Sequence, residues 1–190
     1  LMLNLHSSPM NRLDYVDIDP FGSPSEFLDS TVRAMRDGGI IALTATDMAP
    51  LCGVSPTACL RKYGGKPLRT VYTHEVALRL LVGAAVRAAA IHEIGVRPLF
   101  SYYADHYIRI YLTLEHGAKP ADAALTEMGY VVHCPRCLRA CRDEQVNDVI
   151  GLAFRGEHAK IVFDMDDPMG ASTCVACGEC VQACPTGALM

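Results

Sequence analysis

Three absences narrow what this sequence can be. No stretch of its 190 residues approaches 18 uninterrupted apolar positions, so it carries no membrane-spanning helix of ordinary length. The opening residues LMLNLHSSPMNRL have neither the apolar run nor the small-residue cleavage site of a secretory signal. No glycine-rich nucleotide loop stands ahead of Asp14, so nothing near the start would cradle the phosphates of a dinucleotide. Together these predict a soluble, cytoplasmic protein that does not use the membrane.

Hydrophobic residues make up 51% of the chain, enough to build a core. The formal charge of -4 hides an asymmetry. Residues 1–60 hold 3 basic and 7 acidic side chains, residues 61–142 hold 12 and 6, and residues 143–190 hold 2 and 8. A basic middle between acidic ends suits a protein whose middle meets a polyanion, although a solvated surface gives the same count. Of nine cysteines, seven fall in two clusters at 134–141 and 174–184. Gaps of two and three residues point to metal ligands rather than disulfide staples.

Residues 14–19 (DYVDID) alternate as a strand does and break at Pro20-Phe21-Gly22. Ser23, Pro24 and Glu26 have the spacing of a helix start, and Leu28, Val32 and Met35 continue at helical spacing until Gly38-Gly39. Residues 40–45 (IIALTA) read as a buried parallel strand. A loop region with a short helix near 57–62 follows, then a long helix over 75–93, strands at 96–104 and 107–114, and a helix near 121–128. This order predicts an α/β layered domain with a mainly parallel sheet over residues 1–133. CPRCLRAC at 134–141 repeats as CGECVQAC at 177–184, which sets residues 134–190 apart as a second piece.

Two sites emerge. Ligands of open α/β sheets bind beyond strand carboxyl ends, where DIDPFGSP lies. Methyl transfer to an exocyclic amine needs acceptors for the amine hydrogens; the Asp19 carboxylate and Pro20 carbonyl would serve, with Phe21 as a stacking face. A plain strand-to-helix turn has the same composition. The second site is Cys174-x2-Cys177-x2-Cys180-x3-Cys184-Pro185, the spacing of bacterial-type ferredoxins. In a two-cluster arrangement Cys141, Cys174, Cys177 and Cys180 would hold one [4Fe-4S] cluster. Cys134, Cys137 and Cys184 would hold a second that is one ligand short, because the repeat offset of 43 puts Val131 where the fourth cysteine belongs. That site would take three irons, recruit His133 or stay empty. Zinc at Cys134/Cys137 is the alternative. Cys52 and Cys59 read as plain buried thiols.

The blocks DIDPFGSP, GGIIALTATDMAPLCG, CLRKYGG, HEVALRLL and PLFSYYADHYIRIYL resemble, in order over about residues 14–133, the tRNA (guanine-N2)-dimethyltransferase family. The resemblance implies the C-terminal part of a class I (Rossmann-like) methyltransferase sheet, S-adenosylmethionine as donor, and guanine 26 of tRNA as target. It puts Asp19 at the catalytic position and Phe21 at the stacking one. Thr44, Thr46 and Asp47 fall beside the site, and Arg61, Lys62, Lys66 and Arg69 on the tRNA backbone. His74 and Arg79 are read as structural. The family's donor loop and first strands have no counterpart here, so the chain alone is expected to be inactive. The same family often carries CxxC pairs, which keeps zinc open. From Cys137 onward the sequence is similar to the ferredoxin-like region of molybdenum-dependent formate dehydrogenase catalytic subunits, which implies a small α+β electron-transfer module with a redox partner. A chimera of the two, or an electron-transfer module of that oxidoreductase type, are the readings that follow.

Overall fold

Along the first strand, β1 (Leu13–Ile18), Val16 turns into the protein while Tyr15 and Asp17 stay exposed. Its parallel neighbour β2 (Met35–Ala45) is buried on both faces from Ile41 to Ala45. Asp17 pairs with Ala42 and Ile18 with Leu43, so the two strands end side by side. The computed structural model describes residues 2–131, 141, 143, 145–146, 149–153 and 160–183. Residues 1–129 form one compact unit and residues 130–190 another.

The first unit also contains the short α1 (Met2–Leu5), α2 (Leu28–Ala34), α3 (Met48–Leu51), α4 (Pro56–Tyr63), α5 (Thr73–Ala90) and α6 (Ala118–Thr126). Strands β3 (Ile94–Ala104) and β4 (Tyr107–His116) complete a four-stranded sheet in the order β1-β2-β4-β3. The fold is α/β, but the sheet is not mainly parallel. Only β1–β2 runs parallel; β4 is antiparallel to both β2 and β3. For β3 and β4 the physical reason is the two-residue link Asp105-His106, too short for anything but a hairpin.

Residues Ile108, Ile110, Leu112 and Leu114 of β4 are buried, while the intervening Tyr107, Arg109, Tyr111 and Thr113 are half-exposed. Helices α5 and α6 pack against β3 and β4. The buried set joins Ile41, Leu43, Leu81 and Val32 in one core. Gly95 allows the close approach of α6: a Cβ there would lie 2.6 Å from the backbone of Pro120.

The helix start expected at Ser23 is also corrected. A 3-10 turn occupies Ser25–Phe27 and α2 begins at Leu28; the Ser23 oxygen accepts the Ser25 N–H (3.3 Å) at the head of that turn, while its hydroxyl proton goes to Tyr63 (2.7 Å). The helix ends at Ala34, since Met35 is already extended (φ −87°, ψ 144°) and pairs with Leu13. A register shift then carries β2 to the Tyr15–Ile40 pair, with Gly38 at φ +74° in the bulged stretch.

In the second unit β5 (Ile150–Ala153) and β6 (Lys160–Phe163) pair antiparallel, and α7 spans Glu179–Ala183. Its described core gathers Cys141, Val149, Ile150, Phe163 and Cys180.

The Gly95 contact is testable. Gly95→Ala is expected to destabilise the protein by about 1–3 kcal/mol in a urea melt, because the new methyl meets backbone that cannot swing away. Gly129→Ala, where an added Cβ meets nothing within 4 Å, should change stability by less than about 0.5 kcal/mol.

Candidate active-site rim and thiol cluster

Because β1 and β2 are parallel neighbours, the residues just past their ends share one rim. Asp19 follows Ile18, and Thr46 and Asp47 follow Ala45. The turn after Asp19 is clamped to the second strand end: the Gly22 N–H donates to Thr46 Oγ1 (2.8 Å), and the Thr46 N–H donates to the Gly22 carbonyl (2.9 Å). Gly22 sits at φ +109°, which a side chain rarely adopts. Phe21 is fully exposed.

Asp19, Thr44 and Thr46 line a cleft of about 390 Å³ with Tyr102, His106, Tyr107 and Arg109 of the β3–β4 hairpin. Arg109 is the most connected of them. Its guanidinium donates to Asp17 Oδ2 (2.5 Å), Thr44 Oγ1 (2.5 Å) and the Tyr111 hydroxyl (2.9 Å), joining β1, β2 and β4. Burial alone would lower its pKa, but the bonds to Asp17 and Tyr111 outweigh that and hold it above its ordinary value, so the charge is permanent.

Asp47 is not among the residues lining this cleft. It accepts from Tyr63 (2.5 Å) and pairs with Lys62 (2.9 Å), and its side chain is 11% exposed. Burial in the first place, and Asp47 next, push the Tyr63 phenol far up. Burial, with Asp47 and Cys52 adding to it, pushes the Cys59 thiol up to about 11. Cys59 is buried and Cys52 half-buried, both as free thiols.

Of the basic stretch, Lys62 is therefore engaged with Asp47. Arg69 lays its stem against Gly53, while Arg61 and Lys66 are exposed with no ion pair among the described residues. His74 stacks on Tyr103 (centroids 3.7 Å, planes 15° apart), and Arg79 pairs with Glu75 one helical turn away (2.9 Å).

Asp19, Pro20, Phe21, Thr44, Thr46 and Asp47 lie at or beside the two strand ends, as their place in the sequence predicts, whereas nothing in the motifs points to Tyr102, His106, Tyr107 and Arg109. One signal was available: Arg109 interrupts a strictly alternating run, Tyr107 to Tyr111, in which Ile108 and Ile110 take the buried face. A cation set among aromatics on the opposite face needs partners, and those partners turn out to be strand-end acid and hydroxyl groups.

In the second unit Cys141 and Cys180 are buried in one apolar cluster, with Cys174 packed against it and Cys177 exposed. The Cys180 thiol is pushed up by burial first and then by Cys174, Cys141 and Cys177. Among the described residues no three or more such groups are drawn close enough for a single metal ion. His133, Cys134, Cys137 and Cys184 lie outside the described residues. No described helix is long and apolar enough to cross a membrane.

Arg109→Lys tests the rim. It keeps the charge but loses the fork that reaches three strands at once, so we expect a loss of about 1–2 kcal/mol in chemical denaturation. A melt indistinguishable from that of the unaltered chain would show that the strands hold the rim without the guanidinium.

The family model described as N2,N2-dimethylguanosine tRNA methyltransferase matches residues 2–179, and that of a 4Fe-4S binding domain matches residues 171–190. A tRNA (guanine(26)-N(2))-dimethyltransferase of Thermococcus kodakarensis is 49% identical over 62% of this chain and 31% of its own length. The tRNA (guanine(26)-N(2)/guanine(27)-N(2))-dimethyltransferase of Aquifex aeolicus is 36% identical over 82% of this chain and 39% of its own. The structure of Trm1 from Pyrococcus horikoshii in complex with S-adenosyl-L-methionine superposes with a TM-score of 0.58 at 38% identity, covering 82% of this chain and 36% of that one. The chain thus spans roughly a third of the length of these relatives. With the model matching nearly from end to end, the chain belongs to the N2,N2-dimethylguanosine tRNA methyltransferase family.

Proposed function

We propose that the rim around Asp19 is the acceptor-base side of a tRNA guanine-N2 methyl-transfer site. The observation that carries this reading is the clamp between Gly22 and Thr46, which holds the Asp19-Pro20-Phe21 turn rigidly at the mouth of a polar cleft. In this role the Asp19 carboxylate and the Pro20 carbonyl accept the two hydrogens of the exocyclic amine and leave its lone pair directed at the incoming methyl group. The exposed Phe21 ring offers its face to the base. Thr46 and Asp47 act one layer behind. Thr46 fixes the turn, and Asp47 fixes α4 through Lys62 and Tyr63.

When bound, S-adenosylmethionine supplies an electrophilic methyl group. The residues described here fit the acceptor base and not the donor: no glycine-rich loop able to hold such a cofactor precedes β1 in this sequence. We therefore assign the chain RNA contact through Arg61, Lys66 and Arg69, with Lys62 contributing once a phosphate competes for it, and no methyl transfer by these 190 residues alone.

For the second unit we propose an iron–sulfur site with Cys141, Cys174, Cys177 and Cys180 as ligands, serving electron transfer with a redox partner. Four thiols are a soft donor set that suits iron, and a cubane spaces its ligands more widely than one ion does. Cys134, Cys137 and Cys184 would form the second, incomplete site. Residues 1–133 and 134–190 are the two functional pieces in this reading.

Two experiments test these proposals. Binding of an unmodified tRNA transcript should weaken steeply with salt, and replacing Arg61, Lys66 and Arg69 together by Gln should flatten the plot of log affinity against log salt by roughly 2–3. Salt-independent binding would remove the basic stretch, and methyl transfer by the chain alone would overturn the acceptor-only assignment. After anaerobic reconstitution with iron and sulfide the chain should turn brown, and Cys141→Ala should lose most of the bound iron. Unchanged iron in that variant would show that Cys141 is not a ligand, and a colourless chain that binds zinc would replace the cluster by a zinc site at Cys134/Cys137.

A further inference from the structure

The cleft beside Asp19 is not walled by Phe21. That ring is fully exposed and takes no part in the lining. Its aromatic surface comes instead from the tip of the β3–β4 hairpin, where Tyr102 and Tyr107 meet edge to face (centroids 6.0 Å, planes 77° apart) and His106 meets Tyr107 in the same way (5.7 Å, 72°). Asp19, Thr44 and Thr46 of the two strand ends complete the lining, the Thr44 hydroxyl already accepting from Arg109 and that of Thr46 from the Gly22 N–H.

The hairpin tip is held from behind. Tyr103, which alternates to the other face, is stacked on His74 at the start of α5, and its hydroxyl donates to the Asp105 carbonyl (2.7 Å). Asp105 takes a left-handed conformation (φ +43°) to close the two-residue turn. A wall fixed in this way presents its rings without having to be ordered first.

The chemistry of the cleft selects its occupant. At about 390 Å³ it lies in the range of small-molecule pockets. A phosphate would meet the Asp19 carboxylate, and the Arg109 charge is already bonded to Asp17. An aliphatic group would leave the Asp19 carboxylate unanswered. A flat neutral heterocycle with N–H donors on its edge satisfies both sides, with the ring on the tyrosines and the edge on Asp19.

We propose that Tyr102 and Tyr107, with His106 beside them, form a second stacking platform that receives an unstacked RNA base in the cleft facing Asp19. The proposal rests on the reading that this rim meets tRNA, and it adds a base-binding surface distinct from Phe21. Tyr102 and Tyr107 are then binding residues.

The test is a fluorescence titration of the full chain with a short single-stranded RNA in which one guanine is replaced by 2-aminopurine, a base that keeps the 2-amino group and is quenched on stacking. The unaltered chain should quench it. Tyr102→Leu and Tyr107→Leu should lose most of the quenching and bind roughly tenfold more weakly. Tyr107→Phe, which keeps the ring and cannot disturb the fold through lost packing, should quench as before, and Phe21→Leu should retain the component owed to the hairpin. If the RNA binds and is quenched equally by both leucine variants, or if quenching is lost only in Phe21→Leu, the platform is wrong and the RNA reading stands. If the unaltered chain shows no RNA binding at low salt, the acceptor-side reading falls and the platform with it.

Discussion

The parallel pairing of β1 with β2 is the constraint from which the rest of the first unit follows. It fixes two strand ends at one level, and the burial of β2 on both faces from Ile41 to Ala45 makes that register expensive to change. A slip of one residue would turn Val16 outwards and bring Asp17 into the core. With the register set, Asp19 and Thr46 arrive at the same rim, the Gly22–Thr46 bonds can close, and Arg109 finds Asp17 and Thr44 within reach. The antiparallel hairpin adds its turn to that same rim because β4 runs back along β2, with Ile108 opposite Ala45.

Much of this was legible in the sequence, for reasons that differ from element to element. β1 showed through its alternation, and the buried part of β2 through its unbroken apolar run. The long helix showed through a mostly apolar stretch with few charges and came out as Thr73–Ala90. The start of α2 differs only in its geometry: Ser23 accepts the Ser25 N–H, but the first turn, Ser25–Phe27, is 3-10 and regular α-helix begins at Leu28. Strand direction was misread because alternating strands and helices suggest crossovers, while two residues between β3 and β4 permit none.

The site divides in the same way. Asp19 and Thr46 were legible because a strand end is a local feature. The hairpin wall was not, since which face of β3 and β4 looks onto Asp19 depends on sheet order, a long-range property. The sequence presents the basic stretch as one group facing RNA, yet Lys62 is paired with Asp47 while Arg61, its equally exposed neighbour on α4, has no ion pair among the described residues. In the second unit the family match that runs to residue 179 and the 4Fe-4S match from residue 171 overlap within the cysteine motif itself. Spacing alone could suggest two pieces there but not how one sequence grades into the other.

The three-way engagement of Arg109 also limits what can lie over the face of the sheet that it shares with Tyr15, Tyr111 and Phe100. A guanidinium has five N–H groups, and three are used within the sheet. A wholly apolar cover, such as the greasy side of an amphipathic helix, would strand the remaining two beside a permanent charge, at a cost of several kcal/mol. Any polypeptide or ligand that settles on this face must therefore bring a carbonyl, a hydroxyl or a carboxylate to that one spot, or leave it wet. A single arginine thus acts as a selective filter on its neighbours, admitting polar company and rejecting grease.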